Sequence, residues 1–355
     1  MRRSTRIIAL MSALLTGVVA LTGCSTGSLN LPSSSATASS ASPTPPPTPP
    51  PPPTPTPTPE PPPPPPPVDA LTGGPVNDGP VIAVKVDNTS AGLPQHGIAD
   101  ADITYVEQVE GGLTRLMPVF HTTLARDVGP VRSVRTTDAE LLPAFGVPAL
   151  VFSGGGGIPL DAIAATPVVQ VAEEQGAAGF WRGSGTAPYN LHSDLTEVQA
   201  TAAGLSPARN IGMAFAASDP RVDGSPGAEG VTVRFEAAGM GWMWTGSNYQ
   251  VYRQGDPLSD ADGTPVVADN VLIQHVDFEP DGERDSVGSP SFISHTVGSG
   301  SVELYRDGKV LGGTWSRPAP DQIFQFLDGA GQPVPFKPGK TWVALVPSSA
   351  SVSSS

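Results

Sequence analysis

From Pro43 to Pro67 the chain is almost entirely proline, with interspersed threonine and one glutamate, Glu60. Such a run adopts polyproline II, rises about 3.1 Å per residue and is semi-rigid. The two dozen or so residues predict a stalk of roughly 75 Å. Residues 25–42, mostly Ser, Thr and Ala, read as flexible coil. A spacer is the preferred reading over a docking site for proline-binding domains, because those domains are mainly intracellular. Folding is thereby confined to the region beyond the stalk, about 270 residues before a serine-rich tail at 348–355. That length suffices for two domains with ordinary cores.

The segment before the stalk explains why a stalk is needed. Arg2, Arg3 and Arg6 form a positive start, and Ile7 to Ala20 an apolar stretch too short for an ordinary transmembrane helix. Leu21-Thr22-Gly23-Cys24 fits a lipobox, and Cys24 is the only cysteine in the chain. Cleavage before Cys24 and lipidation of its thiol would anchor the protein stably through two acyl chains. The expected location is the extracytoplasmic face of the cell membrane. A lone cysteine, once lipidated, leaves no disulfide. Removing residues 1–23 takes away three Arg and no acid, so the formal charge moves from -14 to -17. That excess argues against nucleic acid and anionic lipid as partners.

The expected fold class is α+β. Residues 78–218 read as a mixed α/β domain, with strands at 81–87, 103–109, 116–122 and 149–152 and helices at 137–145, 160–165 and 195–203. Residues 219–230, rich in Gly, Pro, Ser and Asp, read as an exposed linker. Residues 231–347 read as a smaller, mainly antiparallel β domain, with Asp307-Gly308 as a type I′ hairpin turn. The signal peptide would span 1–23, the disordered stalk 24–77 and a disordered tail 348–355.

Chemistry-bearing residues concentrate in the first of these domains. Asp87, Glu107 and Glu110 are the candidate catalytic carboxylates. Glu107 and Glu110 would point to opposite faces of a regular strand, whereas Asp87 and Glu110 would pair across neighbouring strands. The alternative is a solvated turn with a structural ion pair to Arg115. Gly129-Pro130-Val131-Arg132-Ser133-Val134-Arg135 places two guanidiniums three residues apart, on one face if the turn is helical. Guanidiniums suit carboxylate or phosphate ligands, or else pair with local acids such as Asp127 or Asp138. Ser153 to Gly157 reads as a close-packing turn, with phosphate binding as the lesser reading, since it lacks the lysine of a P-loop. Asn190 and His192 precede a helix and are candidates to orient a ligand. His96, His121, His192, His275 and His295 are scattered with no close-spaced ligand pair, so no metal-type cluster is expected, a single-ion site from distant residues being left open, and no cofactor is expected.

The ordered motifs resemble the YerB-type family of bacterial lipoproteins. They are Asp87-Asn88, Ala101-Asp102-Ile103, Glu110-Gly111-Gly112-Leu113-Thr114-Arg115 and Gly129-Pro130-Val131-Arg132-Ser133 in the first half. The second half continues with Asn270 to Gln274, Val297 to Gly300, Gly313 to Arg317 and Pro338 to Val343. The likeness covers nearly all of residues 80–347 and implies a two-domain lipoprotein whose activity is not established. The family usually has Pro-His-Asn-Leu-Tyr where this chain has Pro188-Tyr189-Asn190-Leu191-His192, which favours Asn190 as the shared site residue. Binding rather than turnover is the expected role, in a polar cleft that takes a wall glycan, stem peptide or other anionic group. Arg115, Arg132, Arg135, Asn190 and His192 are the expected ligand-binding residues, with Glu110 orienting the ligand and Trp181 stacking on a sugar. Two alternatives are a wall hydrolase or transferase using Asp87, Glu107 or Glu110, and a scaffold that docks an envelope protein on the β domain. Trp315 and Arg317 would be anchors for the latter, with a core position the preferred reading for Trp315.

Overall fold

The computed structural model describes residues 67–285 and 288–355. The leader, Cys24 and the proline run lie outside the described residues. The fold is α+β, organised on one mixed eleven-stranded sheet. Along its main path the strands run Gln325–Asp328, Lys309–Arg317, Gly298–Arg306, Asn270–Val276, Thr341–Pro347, Ile103–Gln108, Thr114–Phe120, Ile82–Val84, Ala149–Phe152 and Val169–Ala172. The first half supplies the mixed end of this sheet, and the second half a mainly antiparallel end. The two meet in a parallel pairing of Thr341–Ala344 with Ile103–Val106.

Period-two patterning explains how one sheet serves two cores. Ile82 and Val84 pack into one layer, and Ala83 into the other. In the Thr341–Pro347 strand, Trp342, Ala344 and Val346 join the first layer while Val343 and Leu345 join the second. Strands buried on both faces read as continuous apolar runs. Over one face lies a six-stranded sheet built from Gly230–Arg234, Gly239–Trp244, Tyr249–Arg253, Asp256–Pro257, Val267–Ala268 and Ser351–Ser354. Trp242 from this sheet meets Trp342 from the large one, ring centroids 6.0 Å apart. The other face is covered by the Thr136–Leu141 helix, a 3-10 turn at Leu142–Phe145 and the Gly157–Ala164 helix.

Several expectations need correction. The serine-rich end is not a disordered tail. Ser351–Ser354 pairs antiparallel with Gly230–Arg234, because small serines satisfy an otherwise open strand edge while Val352 packs on the core. The stalk ends before residue 77. Asp69 Oδ1 accepts from the Leu71 and Thr72 backbone N–H groups and the Thr72 hydroxyl, at 2.8–3.0 Å, and Leu71 is fully buried. The supposed linker at 219–230 contains a short helix, Pro220–Asp223, capped by the Asp219 carboxylate on the Arg221 N–H. Trp315 lies in the core as preferred, and the alternative that it and Arg317 anchor a partner is overturned, since both are buried. Trp315 Nε1 donates to the His275 carbonyl at 2.8 Å, and Arg317 donates to the Glu140 and Leu141 carbonyls at the end of the Thr136–Leu141 helix. Asp307-Gly308 turns as its sequence implies, with φ of 52° and 68° between the paired residues Arg306 and Lys309.

Leu71→Ala should therefore lower the unfolding free energy by about 2–5 kcal/mol in a denaturant titration. An unchanged midpoint would mean that the core starts only at Val81.

Candidate functional site

A lysine buried in a strand end organises the charged residues of the first half. Lys85 sits between Ile82–Val84 and Val86–Asp87, with its side chain withdrawn from solvent. Its ammonium pairs with Glu107, and with Asp138 Oδ1 at 2.9 Å. Burial pushes its pKa below the ordinary lysine value, and Asp138 opposes that shift. Asp138 Oδ2 meanwhile accepts the Arg135 backbone N–H at 2.8 Å, which fixes the start of the Thr136–Leu141 helix.

A shell of arginines surrounds this core. Arg115 lies directly opposite both Asp87 and Glu107 in the strand registers. The Asp87 carboxylate is fully buried, its Oδ2 3.1 Å from Arg132 Nε and 3.7 Å from Arg115 Nη2. Both contacts are electrostatic, and the Nε atoms of Arg115 and Arg132 are buried with no hydrogen-bond partner among the described residues. Arg115 is only 6% exposed, and burial pulls its pKa down to about 10 despite the Asp87 charge. Arg135 Nε and Nη2 donate to Glu110 Oε2 at 3.2 and 2.7 Å.

Arg132 to Arg135 is not helical. Arg132 N donates to the Lys85 carbonyl, Ser153 N to the Arg132 carbonyl and Val134 N to the Gly154 carbonyl, so the segment threads between a strand end and the glycine loop. The two guanidiniums nevertheless open on one cavity of about 420 Å³. Glu110, Arg115, Arg132, Ser133, Gly155 and Gly156 form one side of it, and Glu283, Arg284, Asp285 and Ser291 the other. That second wall is the hairpin of Phe278–Arg284 and Pro290–Ser294. It is pinned to the helix by Thr136 Oγ1 on Asp281 (2.7 Å) and by Ser294 N on Thr137 Oγ1 (2.9 Å). Four guanidiniums against three carboxylates make the lining net positive in a chain of charge -14.

Two family models match the chain, the N-terminal domain of the protein family of unknown function DUF3048 over residues 71–208 and its C-terminal domain over 231–343. The chain belongs to the DUF3048 family. It is 28% identical over 293 residues to Bacillus subtilis YerB, named provisionally as a lipoprotein, covering 75% of this chain and 81% of that one. The crystal structure of B. subtilis YerB has the same fold, with a TM-score of 0.66 at 21% identity, over 81% of this chain and 99% of the other.

Within this DUF3048 fold the residues singled out from sequence divide into two groups. Glu110, Arg115, Arg132 and Arg135 share the cavity. Asp87 and Glu107 lie behind it, each committed to a buried cation, and neither reaches the lining. Asn190 and His192 stand elsewhere, on the hairpin of Phe180–Arg182 and Leu191–Ser193. The Asn190 amide donates to the Gly183 and Gly185 carbonyls and its oxygen accepts from Arg182, which closes the hairpin loop. His192 Nδ1 lies 2.6 Å from Asp127, and Trp181 stacks on the His192 ring. The link between the groups is Tyr189, over whose ring the Arg132 guanidinium sits at 5.2 Å. Lys85 escapes sequence reasoning because a lysine in an apolar strand carries no sign of its buried partners. The glycine loop abuts the cavity, but the N–H of Ile158 in the first turn of its helix is taken by Glu283 at 3.0 Å.

Two outcomes follow from this charge arrangement. Lys85→Met strands two buried carboxylates and should lower stability by about 3–5 kcal/mol in chemical denaturation. A loss within error would remove the ion pair from the core of the site. The second concerns His295, which joins Glu140 on the helix to Glu279 on the hairpin wall, each at 3.1 Å. Burial alone would depress the imidazole, but its hydrogen bonds to Glu140 and Glu279 hold its pKa above the ordinary 6.5. A raised folded-state value stabilises fully below the unfolded pKa and is lost as pH rises through the folded one. Urea midpoints should thus fall between about pH 5.5 and about pH 8.5 by more in the wild type than in His295→Ala. Equal falls would show that the hairpin is not held by this charge.

Proposed function

We propose that this protein is an envelope lipoprotein, anchored through Cys24 at the extracytoplasmic face, that binds the anionic group of a cell-wall component in the arginine-lined cavity. The observation that carries the reading is the cavity of about 420 Å³ on which the guanidiniums of Arg115, Arg132 and Arg135 open together in an acidic chain. Guanidiniums offer several N–H donors in a planar fork, which suits a carboxylate or phosphate oxygen entering the cavity. Arg135 supplies a third guanidinium and Ser133 a hydroxyl. Glu110 holds Arg135 through one oxygen, and its other oxygen would take a ligand hydroxyl or amide. The lipobox supports the anchor, as does the relative described provisionally as a lipoprotein. No helix among the described residues is long and apolar enough to cross a membrane.

Thermal unfolding of the full chain in detergent, with soluble peptidoglycan fragments or glycerol phosphate, tests the reading. A ligand at one hundred times its dissociation constant adds about 2.7 kcal/mol. The stabilisation should vanish in Arg132→Ala and persist in Asn190→Ala, whose side chain closes a loop away from the cavity. No shift with any anionic fragment, or one that survives Arg132→Ala, would overturn it.

A further inference from the structure

Two imidazoles and a carboxylate meet on the hairpin side of the molecule, from segments 31 and 65 residues apart in sequence. Asp127 Oδ2 lies 2.8 Å from His96 Nδ1, and Asp127 Oδ1 lies 2.6 Å from His192 Nδ1. One donor atom from each of the three residues falls within 4.8 Å of the other two. The two rings stand edge to face, centroids 4.6 Å apart. We propose that His96, Asp127 and His192 bind a divalent transition-metal ion of the zinc class, independently of the arginine cavity.

The geometry is close to what such an ion needs. Bonds of about 2.0–2.2 Å to nitrogen and carboxylate oxygen place neighbouring donors in a tetrahedral site about 3.3 Å apart. The contacts at 2.6 and 2.8 Å, one to each oxygen of Asp127, open by under 1 Å to reach that spacing, and the widest separation among the three donors, within 4.8 Å, closes by up to about 1.5 Å. An imidazole that donates to this carboxylate does so through a hydrogen on Nδ1. Metal takes the Nδ1 lone pair, and the hydrogen moves to Nε2 by exchange with solvent, with no net change in protonation. Imidazole nitrogens select zinc, copper, nickel or iron over magnesium and calcium, which prefer oxygen.

The backbone holds the three ligands in register. His96 and Gly129 exchange N–H···O bonds of 2.9 and 3.2 Å, and Val128 and Ser193 exchange two more at 2.9 and 3.0 Å. Asp127 is therefore flanked by residues bridged to both histidine segments. Gly129 leaves the donor atom accessible, since a Cβ there would lie 3.1 Å from His192 Nδ1. Trp181 covers the other side of the His192 ring at 5.7 Å. His96 and Asp127 line a cavity of about 300 Å³ shared with Asp100, Asp260, Asp262 and Arg126. Its acid excess attracts a cation, and it gives an entry path and room for a water as fourth ligand.

The test is calorimetry of the chelator-stripped full chain with zinc chloride, together with visible spectroscopy of the cobalt(II) form. One equivalent of zinc should bind with at least micromolar affinity, and cobalt should show the intense ligand-field bands of a four- or five-coordinate ion. His96→Gln and Asp127→Asn should each weaken zinc binding by more than about 100-fold, beyond the usual effect of an outer-shell partner. Both variants should keep the far-ultraviolet dichroism of the wild type, and Arg132→Ala should bind zinc normally. Sub-stoichiometric binding, cobalt bands of a six-coordinate aquo ion, or folded His96→Gln and Asp127→Asn variants that bind zinc like the wild type would overturn the proposal.

Discussion

A lysine ammonium with no access to water sits where the first sheet strands, the Arg132–Arg135 segment and the Thr136–Leu141 helix converge. Glu107 and Asp138 neutralise Lys85, and neither would be tolerated there alone. Around that inner group the charges alternate. Asp87 answers Arg115 and Arg132, and Glu110 answers Arg135. Lys85, Glu107, Asp138 and Asp87 are buried while Arg132, Arg135 and Glu110 are partly exposed, so the inner ions fix the posts from which the outer guanidiniums reach. The cavity is net positive in an acidic chain because Asp87 and Glu107 are committed behind it, leaving four guanidiniums against three carboxylates in the lining.

How far the fold was legible depends on whether a feature is local. Strands such as Asn270–Val276 and Thr341–Pro347 announce themselves as apolar runs, and Asp307-Gly308 announces its turn. Arg132 and Arg135 could be picked out from their spacing in a chain poor in basic residues, although the helical turn invoked for them does not form. What was not legible is non-local. Lys85 reads as an ordinary charged residue until Asp138, 53 residues away, is folded against it. His96 and His192 look scattered because what joins them is the backbone bridging on either side of Asp127. Asn190 drew attention as a polar residue near a helix start, yet its amide is spent on its own loop. The serine tail lacks the apolar signature of a strand because it needs none. It pairs at an edge through its backbone, with Ala350 and Val352 as its apolar contacts.

The same distinction explains the sheet. Two family models divide the chain near its middle, where composition also changes. The sheet ignores that division, since Thr341–Ala344 lies parallel to Ile103–Val106 across more than two hundred residues of sequence. Parallel pairing at that separation is costly in loop entropy and is repaid only when both faces are covered. Here the Trp242–Trp342 contact covers one face and the Leu142–Phe145 turn the other.

Asp69 marks where the described fold begins, and its carboxylate ties the Leu71–Thr72 turn to His121 Nε2 at 2.9 Å. Any pull on the chain from its N-terminal side meets the described fold at this point first. The contacts that meet it are the Asp69–His121 pair and the buried Leu71 side chain. His121 is the residue after the Thr114–Phe120 strand, so the load passes into the middle of the large sheet and spreads across its ladders. The entry turn thus couples the incoming chain to the large sheet rather than to the glycine loop or the arginine cavity.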